Sequence, residues 1–228
     1  MIWSWIPDHL GLIWQLTVEN AYLGLVPPLV GLIISVPLGI VCVRWGWLYP
    51  PVLSGTSIVY AIPSLALFVA LIPYTGLSDT TVIIPLTLFS LCVLVPAVVD
   101  GLRSVPEPVR QAATAMGFGT LRRLVQVELP IAAPIVIAGM RVAVVSSISL
   151  ASVGQLIGIS SLGYLFIDGL QRDFPTEIVV GMACVIILAL AADLLLQGVR
   201  ALLTRWQRGD ADVATRRVLT RLTPGGAR

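Results

Sequence analysis

Long apolar stretches without charged residues are the feature that most constrains how this chain can fold. Residues 21–43 form 23 consecutive uncharged residues, 34 more lie between Arg44 and Asp79, and residues 80–99 are again uncharged. A helix that crosses a bilayer needs about 20 apolar residues, because each adds about 1.5 Å and the hydrocarbon core is about 30 Å thick. Two further apolar stretches contain one charged residue each. The sequence therefore predicts an all-α membrane protein with five transmembrane helices, at about 21–43, 51–73, 80–99, 131–153 and 178–199.

The few charged residues predict the orientation of these spans. Only 11% of the chain is charged, whereas soluble domains carry about 25% charged residues. All 14 basic residues are arginine, and basic residues accumulate on the cytoplasmic side of membrane proteins. With the N-terminus outside, only Arg172 is clearly extracytoplasmic, and the outer segments hold the acids Asp8, Glu19, Asp79, Asp168, Asp173 and Glu177. We therefore predict an N-out/C-in topology.

The chain divides into three predicted parts. Residues 1–20 form an extracytoplasmic N-terminal segment, residues 21–199 the transmembrane domain with a cytoplasmic loop at 100–130, and residues 200–228 a cytoplasmic tail. Tryptophans flank Asp8–Asn20, and tryptophan favours the membrane interface. Two interpretations of this stretch remain open: a helix on the outer surface, or an N-terminal extension of the first span.

The 100–130 loop has the local signals of an ordered helix. Ser104 can cap it, two prolines suit its entry, and Glu107 opposes the positive end of the helix dipole. Good helix formers fill Val109–Met116, and Gly117 is placed to terminate the helix. A short, partly apolar cytoplasmic helix either docks in a groove of a partner protein or lies on the membrane surface.

A motif in this loop distinguishes between these alternatives. The loop contains Gln111-Ala112-Ala113, then Gly117, then Glu128-Leu129-Pro130. This spacing closely resembles the EAA signature of ABC importer permeases, whose motif forms a coupling helix in a cleft of the ATPase subunit. Gln111 replaces the usual glutamate, which removes the charge for an ion pair there. The resemblance implies that the ATPase-coupling residues are Glu107, Arg110, Gln111, Ala112, Ala113, Met116, Gly117, Glu128, Leu129 and Pro130.

Further segments resemble one subgroup of these permeases. Residues 61–67, Ile72-Pro73 with Gly76, Gly101 with Ser104-Val105, and residues 157–163 look like the importers of quaternary-amine osmoprotectants: glycine betaine, carnitine and choline. The subgroup often has Gly-Gly where this chain has Ser160-Ser161. Methionine importers share the five-span layout and the motif, so a methionine or other amino-acid permease is the alternative.

The resemblance implies a type I importer architecture with several partners. The sequence contains no GxxxxGK[ST] phosphate loop, so we expect ATP and Mg²⁺ on a separate ATPase subunit. A second permease subunit, identical or related, and an extracytoplasmic binding protein are expected in the inner membrane of a prokaryote. Alternating access then moves the substrate. We expect no catalytic residue, metal or cofactor site in this chain, and no nucleic acid. A polytopic membrane enzyme or scaffold is the remote alternative.

Small polar residues suggest a translocation path. A quaternary ammonium group cannot be hydrogen-bonded, so aromatic faces such as those of Tyr60 and Tyr164 are natural recognition elements. Packing of serines between helices explains the same pattern equally well. The candidate path residues are Ser54, Ser57, Tyr60, Pro63, Ser146, Ser149 and Ser152.

Two charged residues interrupt the predicted spans. Arg141 and Asp193 lie in the fourth and fifth spans, where an unpaired charge costs at least about 2.5 kcal/mol at a helix centre. We predict that they approach one another or face a subunit interface rather than lipid.

Overall fold

A computed structural model describes residues 4–203 of the chain, and all regular structure within that range is helical. Shorter turns connect the α-helices: 3-10 turns at Gly46–Leu48 and Ser152–Ile157, and a π-helical turn at Leu124–Glu128. The predicted tail lies outside the described residues beyond Leu203. The α-helices are α1 Trp5–Asp8, α2 Leu10–Arg44, α3 Tyr49–Ala61, α4 Ser64–Thr75, α5 Asp79–Arg103, α6 Glu107–Ala115, α7 Thr120–Arg123, α8 Leu129–Ala151, α9 Gly163–Gln171 and α10 Pro175–Leu203.

Helix α5 forms the centre of the bundle, and α2 runs parallel to it. A Cβ atom added to Gly31 would lie 3.0 Å from Ser90, and one added to Gly39 would lie 2.5 Å from Val98. The two sequences therefore advance in the same direction along the contact. Small residues permit this close approach of the two backbones, as expected if the glycines of the first span serve packing.

Helix α8 packs antiparallel to α5. A Cβ atom on Gly139 would lie 2.5 Å from Ala97, whereas one on Gly101 would lie 3.2 Å from the Ala132 Cβ. Residue numbers thus fall along α8 as they rise along α5. Helix α10 packs against α8 through Ala192 and its neighbours, in a cluster with Met140, Ala143, Val144 and Ile148.

The predicted second span is wrong as a single helix. Helices α3 and α4 meet at 92°, where Ile62 and Pro63 have extended backbone angles. Proline disfavours the α conformation at the residue before it, which here is Ile62. This explains why the helix breaks between α3 and α4. Because α2 and α5 are parallel, the intervening chain has to return across the bilayer, and the bent pair makes that crossing. Helix α7, the π-helical turn and α8 form one continuous helix, called the α7–α8 helix. By length and apolarity, the other candidate spans within residues 4–203 are α2, α5, the α7–α8 helix and α10.

Several helices extend beyond the predicted spans. Helix α2 begins at Leu10 and continues to Arg44, so Asp8–Asn20 mainly extends the first span and does not form a separate surface helix. The helix predicted to start near Ile131 begins at Thr120 and continues through the π-helical turn into α8. A helix of 35 residues measures about 50 Å, which exceeds the thickness of the hydrocarbon core.

Most of the arginines within residues 4–203 lie at one end of the bundle, here called the basic end. Arg44 ends α2, Arg103 ends α5 with its guanidinium 4.9 Å from the Tyr49 ring centroid, and α6 follows immediately. Because the chain crosses the membrane five times, the start of α2 and the end of α10 lie on opposite sides of the membrane. The positive-inside rule favours a cytoplasmic location for the basic end, so the N-out/C-in orientation stays a prediction from the arginine distribution.

Candidate functional site

Helix α6 is the helix predicted in the 100–130 loop, but Pro106, and not Ser104, occupies its N-cap position. Pro106 occupies the N-cap position in an extended conformation, and Glu107 lies in the first turn. The prediction that Ser104 caps this helix is wrong. Its hydroxyl donates to the Gly101 carbonyl at 2.7 Å, because Ser104 follows the last turn of α5 directly.

The C-terminus of α6 ends as predicted at Gly117. Gly117 has φ +83°, in the left-handed region that favours glycine. The Phe118 N–H donates to the Ala113 carbonyl at 3.1 Å, and the Met116 N–H donates to the Ala112 carbonyl at 3.0 Å. The Phe118 bond, together with the bond from the Gly117 N–H to the Thr114 carbonyl at 3.0 Å, satisfies carbonyls that a helix end otherwise leaves unpaired. The geometry fixes the direction in which the chain leaves α6.

The two faces of α6 have different surroundings. Ala113 is only 2% exposed and packs toward the rest of this chain. Gln111 and Ala112 are exposed, and Met116 is 69% exposed. Of the predicted coupling residues on α6, Ala113 is therefore an internal packing residue, while Gln111, Ala112 and Met116 form the open face.

Glu128 lies at the centre of an ionic cluster that joins α6 to the bundle. Glu128 is 8% exposed. One of its carboxylate oxygens accepts a hydrogen bond from Arg123 Nε at 2.8 Å, and the other lies 3.9 Å from Arg110 Nε. Arg110 Nη2 also donates to the Leu102 carbonyl at 2.6 Å. We call Arg110, Thr114, Arg123 and Glu128 the Glu128 cluster.

Arg123 completes this cluster, and the sequence motif did not identify it. Its Nη1 donates to the Thr114 hydroxyl at 3.0 Å, so one side chain contacts both α6 and Glu128. Residues five apart lie on different faces of an α-helix, but the wider turn of a π-helix brings them closer together. The π-helical turn at Leu124–Glu128 therefore makes the Arg123–Glu128 pair possible.

The other predicted coupling residues occupy the start of α8. Leu129 is half-buried and packs against the cluster of Val98, Leu102 and Ala132. Pro130 is exposed in the first turn of α8, directly after the π-helical turn. Proline has no N–H to donate in a helix. Pro130 therefore lies where the chain changes from the π-helical turn to the α-helix.

The predicted path residues on α3 lie on an open surface. Ser54, Ser57 and Tyr60 are all exposed, and Pro63 lies at the break between α3 and α4. The Ser57 hydroxyl donates to the Leu53 carbonyl at 2.8 Å. The Tyr60 ring packs edge-on against Phe89, with 5.7 Å between centroids.

The three predicted path serines near the end of α8 do not share one environment. Ser149 is exposed and Ser146 half-buried, but Ser152 is buried and its hydroxyl donates to Asn20 Oδ1 at 3.2 Å. Asn20 in turn donates to the Ile148 carbonyl at 3.2 Å. Six residues correspond to about 240° around a helix, so Ser152 faces α2 instead. Ser152 therefore does not share the exposed surface of Ser149, and its place in the path stays a prediction.

Arg141 and Asp193 approach one another, as predicted. Two parallel bonds join them, Nε to Oδ1 at 2.5 Å and Nη2 to Oδ2 at 2.9 Å. Gln197 donates to the same carboxylate at 2.7 Å. The pair lies in a groove of about 630 Å³ between α8 and α10, whose other walls include Val142, Ser146 and Leu190.

Comparison with known proteins identifies the class. The family of the binding-protein-dependent transport system inner membrane component matches residues 31–209. The chain belongs to this family and is a permease subunit of an ABC importer in the inner membrane. Family membership implies an ATPase subunit and a substrate-binding protein as partners. The predicted family, architecture and location are confirmed.

Individual relatives cover most of the chain. It is 32% identical over 202 residues to the osmoprotectant import permease protein OsmW of Salmonella typhimurium, covering 86% of this chain and 94% of that protein. It is 32% identical over 165 residues to the glycine betaine/carnitine/choline transport system permease protein OpuCD of Bacillus subtilis, covering 72% of each. Its fold matches a chain of the inward-facing MetNI methionine ABC transporter with TM-score 0.69 and 22% identity, covering 87% and 97%.

Proposed function

We propose that this permease imports quaternary-amine compatible solutes such as glycine betaine, carnitine and choline, driven by ATP hydrolysis in a separate subunit. The observation that carries the proposal is the 32% identity to an osmoprotectant import permease over 86% of the chain. A second relative, named for glycine betaine, carnitine and choline transport, supports the same substrate class. The relatives are transport permeases, and in this proposal ATP and Mg²⁺ bind to the partner ATPase.

The open face of α6 is the proposed contact with the ATPase. Gln111, Ala112 and Met116 are exposed there, and a large apolar side chain such as Met116 suits a partner groove. A contact on this face transmits force to the bundle only if α6 is firmly attached. The Glu128 cluster supplies that attachment, because it joins α6 to the Leu102 carbonyl and to the start of α8.

The proposed translocation path lies on surfaces that this chain leaves open. Ser54, Ser57 and Tyr60 lie on α3, and Ser146 and Ser149 lie on α8. Both helices pack against α5. We propose that a second permease subunit, identical or related, faces these surfaces and encloses the path between the two subunits.

The groove that contains Arg141 and Asp193 indicates that this surface of α8 and α10 contacts protein or water in the membrane, and not lipid. Their side chains are 29% and 19% exposed, and lipid tails cannot solvate such charges. Ser146 lines the same groove. The partly exposed ion pair thus lies beside a proposed path residue, on the face assigned to the second subunit.

Uptake measurements test the substrate assignment. The full permease, its ATPase and its binding protein are expressed in a strain that lacks other compatible-solute importers, and uptake of radiolabelled glycine betaine, carnitine, choline and methionine is compared. We expect ATP-dependent uptake of at least one quaternary amine and none of methionine. Methionine uptake without quaternary-amine uptake would establish the amino-acid alternative.

A variant of the same complex tests the path. Ser149→Phe places a large ring on the exposed face of α8 and is expected to reduce uptake strongly while assembly with the ATPase persists. Ile33→Phe is the matched control, since it places the same ring at an exposed position of α2 that is not among the predicted path residues. Equal uptake by Ser149→Phe and the unmodified complex would remove Ser149 from the path.

A further inference from the structure

A basic pocket lies at the cytoplasmic end of the bundle, between the end of α2 and the start of the α7–α8 helix. Its volume is about 420 Å³. Three arginines, Arg44, Arg110 and Arg123, line it together with Glu128, and Ile40 and Val43 form an apolar wall. Arg44 comes from α2, whereas the other charged residues belong to the Glu128 cluster.

The charges in this pocket do not balance. Three guanidinium groups and the Glu128 carboxylate line it, and the exposed Glu107 carboxylate lies 3.9 Å from Arg110 Nη1, so the net charge is 3 − 2 = +1. Both oxygens of Glu128 already face Arg123 and Arg110, at 2.8 Å and 3.9 Å. Arg110 Nε is enclosed and has no hydrogen-bond partner. Arg44, in contrast, has no carboxylate partner within residues 4–203, and its guanidinium lies 6.0 Å from the Trp45 ring centroid.

We propose that this pocket binds a phosphate ester. Guanidinium groups present forked donors that match the oxygens of phosphate, and a phosphate would supply both the missing negative charge and acceptors for the exposed Arg44 guanidinium. Basic pockets between transmembrane helices on the cytoplasmic side suit anionic lipid headgroups. The wall of Ile40 and Val43 lies where the apolar run of α2 ends, which favours an amphipathic ligand.

A bound phosphate would connect α2 to the Glu128 cluster and, through it, to α6. Arg44 contributes the α2 side, and Arg110 and Arg123 contribute the side that holds α6. The same chemistry is available from an anionic phospholipid or from a soluble phosphate. This inference goes beyond the proposed function, because it holds for any transported substrate.

Native mass spectrometry of the full permease–ATPase complex in detergent tests the site. The complex is titrated with phosphatidylglycerol and, in parallel, with phosphatidylcholine. Arg44→Gln should weaken phosphatidylglycerol binding roughly tenfold, because it removes the charge-assisted hydrogen bonds between a guanidinium and the phosphate. Arg44→Lys should retain most of the binding. Phosphatidylcholine binding should be unchanged.

Arg103→Gln is the matched control. It removes the same charge from the same end of the bundle, but Arg103 packs on the Tyr49 ring and does not line the pocket. Its phosphatidylglycerol binding should stay within about twofold of the unmodified complex. If Arg44→Gln impairs assembly, Thr120→Asp lowers the pocket charge by the same amount from the exposed rim.

A second arm identifies the source of the phosphate. Inorganic phosphate at millimolar concentration is added to the lipid-depleted complex, and thermal stability is measured for both variants. Stabilisation that disappears with Arg44→Gln indicates a soluble ligand, whereas selective phosphatidylglycerol binding without a phosphate effect indicates a lipid. Equal losses in Arg44→Gln and Arg103→Gln, or no loss in either, would overturn the proposal.

Discussion

Two ionic contacts involve the α7–α8 helix, and they differ in what they join. The Glu128 cluster attaches the short helix α6 to the bundle through a carboxylate that is 8% exposed. The Arg141–Asp193 pair joins two long spans through a bidentate contact whose side chains are 29% and 19% exposed. The first lies at the basic end, and the second lies within apolar stretches.

This difference separates stability in the membrane from transmission of movement. An unpaired charge in an apolar span destabilises the bundle itself. A loosened α6 leaves the spans packed, but it weakens the connection between the ATPase and the spans. Variants of the two contacts should therefore produce different defects, and the following experiments are ordered by expected size.

The largest effect is expected from Arg141→Leu. It leaves the Asp193 carboxylate in the groove without its main partner, at a cost of at least about 2.5 kcal/mol if that charge lies at the centre of a span. We expect a several-fold smaller amount of folded protein in the membrane fraction. The double variant Arg141→Leu/Asp193→Leu should recover most of it. A double variant as poor as the single one would mean that the pair has a role beyond neutralising charge.

Glu128→Gln should reduce transport by about tenfold, because a buried hydrogen bond to a charged group contributes about 1.5–3 kcal/mol. The amount of protein and co-purification of the ATPase should change much less. Asp168→Asn is the control, since its carboxylate pairs with the exposed Arg172 at 2.9 Å outside the Glu128 cluster and such surface pairs contribute little. Equal uptake by the two variants would contradict a transmitting role for the Glu128 cluster.

Gly117→Val should weaken ATPase association several-fold. A Cβ atom at this position meets nothing within 4 Å, so the effect arises from φ +83° alone, at a cost of about 1–3 kcal/mol. Gly119 provides the control, because its φ is −67° and it is also free of neighbours. Co-purification with tagged ATPase measures both variants, and similar retention in the two would show that the turn geometry is unimportant.

The smallest effect is expected from Gln111→Glu, which restores the charge usual in the EAA signature. Gln111 is exposed, and exposed ion pairs contribute about 0–1 kcal/mol. ATPase affinity should change by less than about fivefold and become more sensitive to salt. Titrations at low and high ionic strength measure this change. An unchanged salt dependence would exclude a charged partner opposite residue 111.

Much of the fold follows from one-dimensional features of the sequence. The length of uncharged stretches predicts the crossings, and the arginines predict the cytoplasmic end. The exclusion of isolated charges from lipid predicts the contact between Arg141 and Asp193, because only a few partners exist in the spans. Gly117 ends α6 as predicted, since a helix end depends on local backbone geometry.

Other features depend on geometry that spacing alone does not encode. Pro63 suggested a kink, but the 92° turn also requires the extended conformation at Ile62. Arg123 reaches Glu128 only because Leu124–Glu128 is π-helical. Ser152 resembled a path residue by spacing, yet its contact with Asn20 comes from the packing of α2 against α8.

The glycine contacts of α2, α5 and α8 have a mechanical consequence. An added Cβ atom would lie 2.7 Å from Ile148 at Gly24, 2.5 Å from Val98 at Gly39 and 2.5 Å from Ala97 at Gly139. These three helices therefore meet with no clearance, and well-packed interfaces shift between discrete arrangements instead of deforming gradually. Opening and closing of the permease should then displace this three-helix unit as one solid body. The conformational change needed for transport then has to occur at the segments that flank this unit, such as the break between α3 and α4.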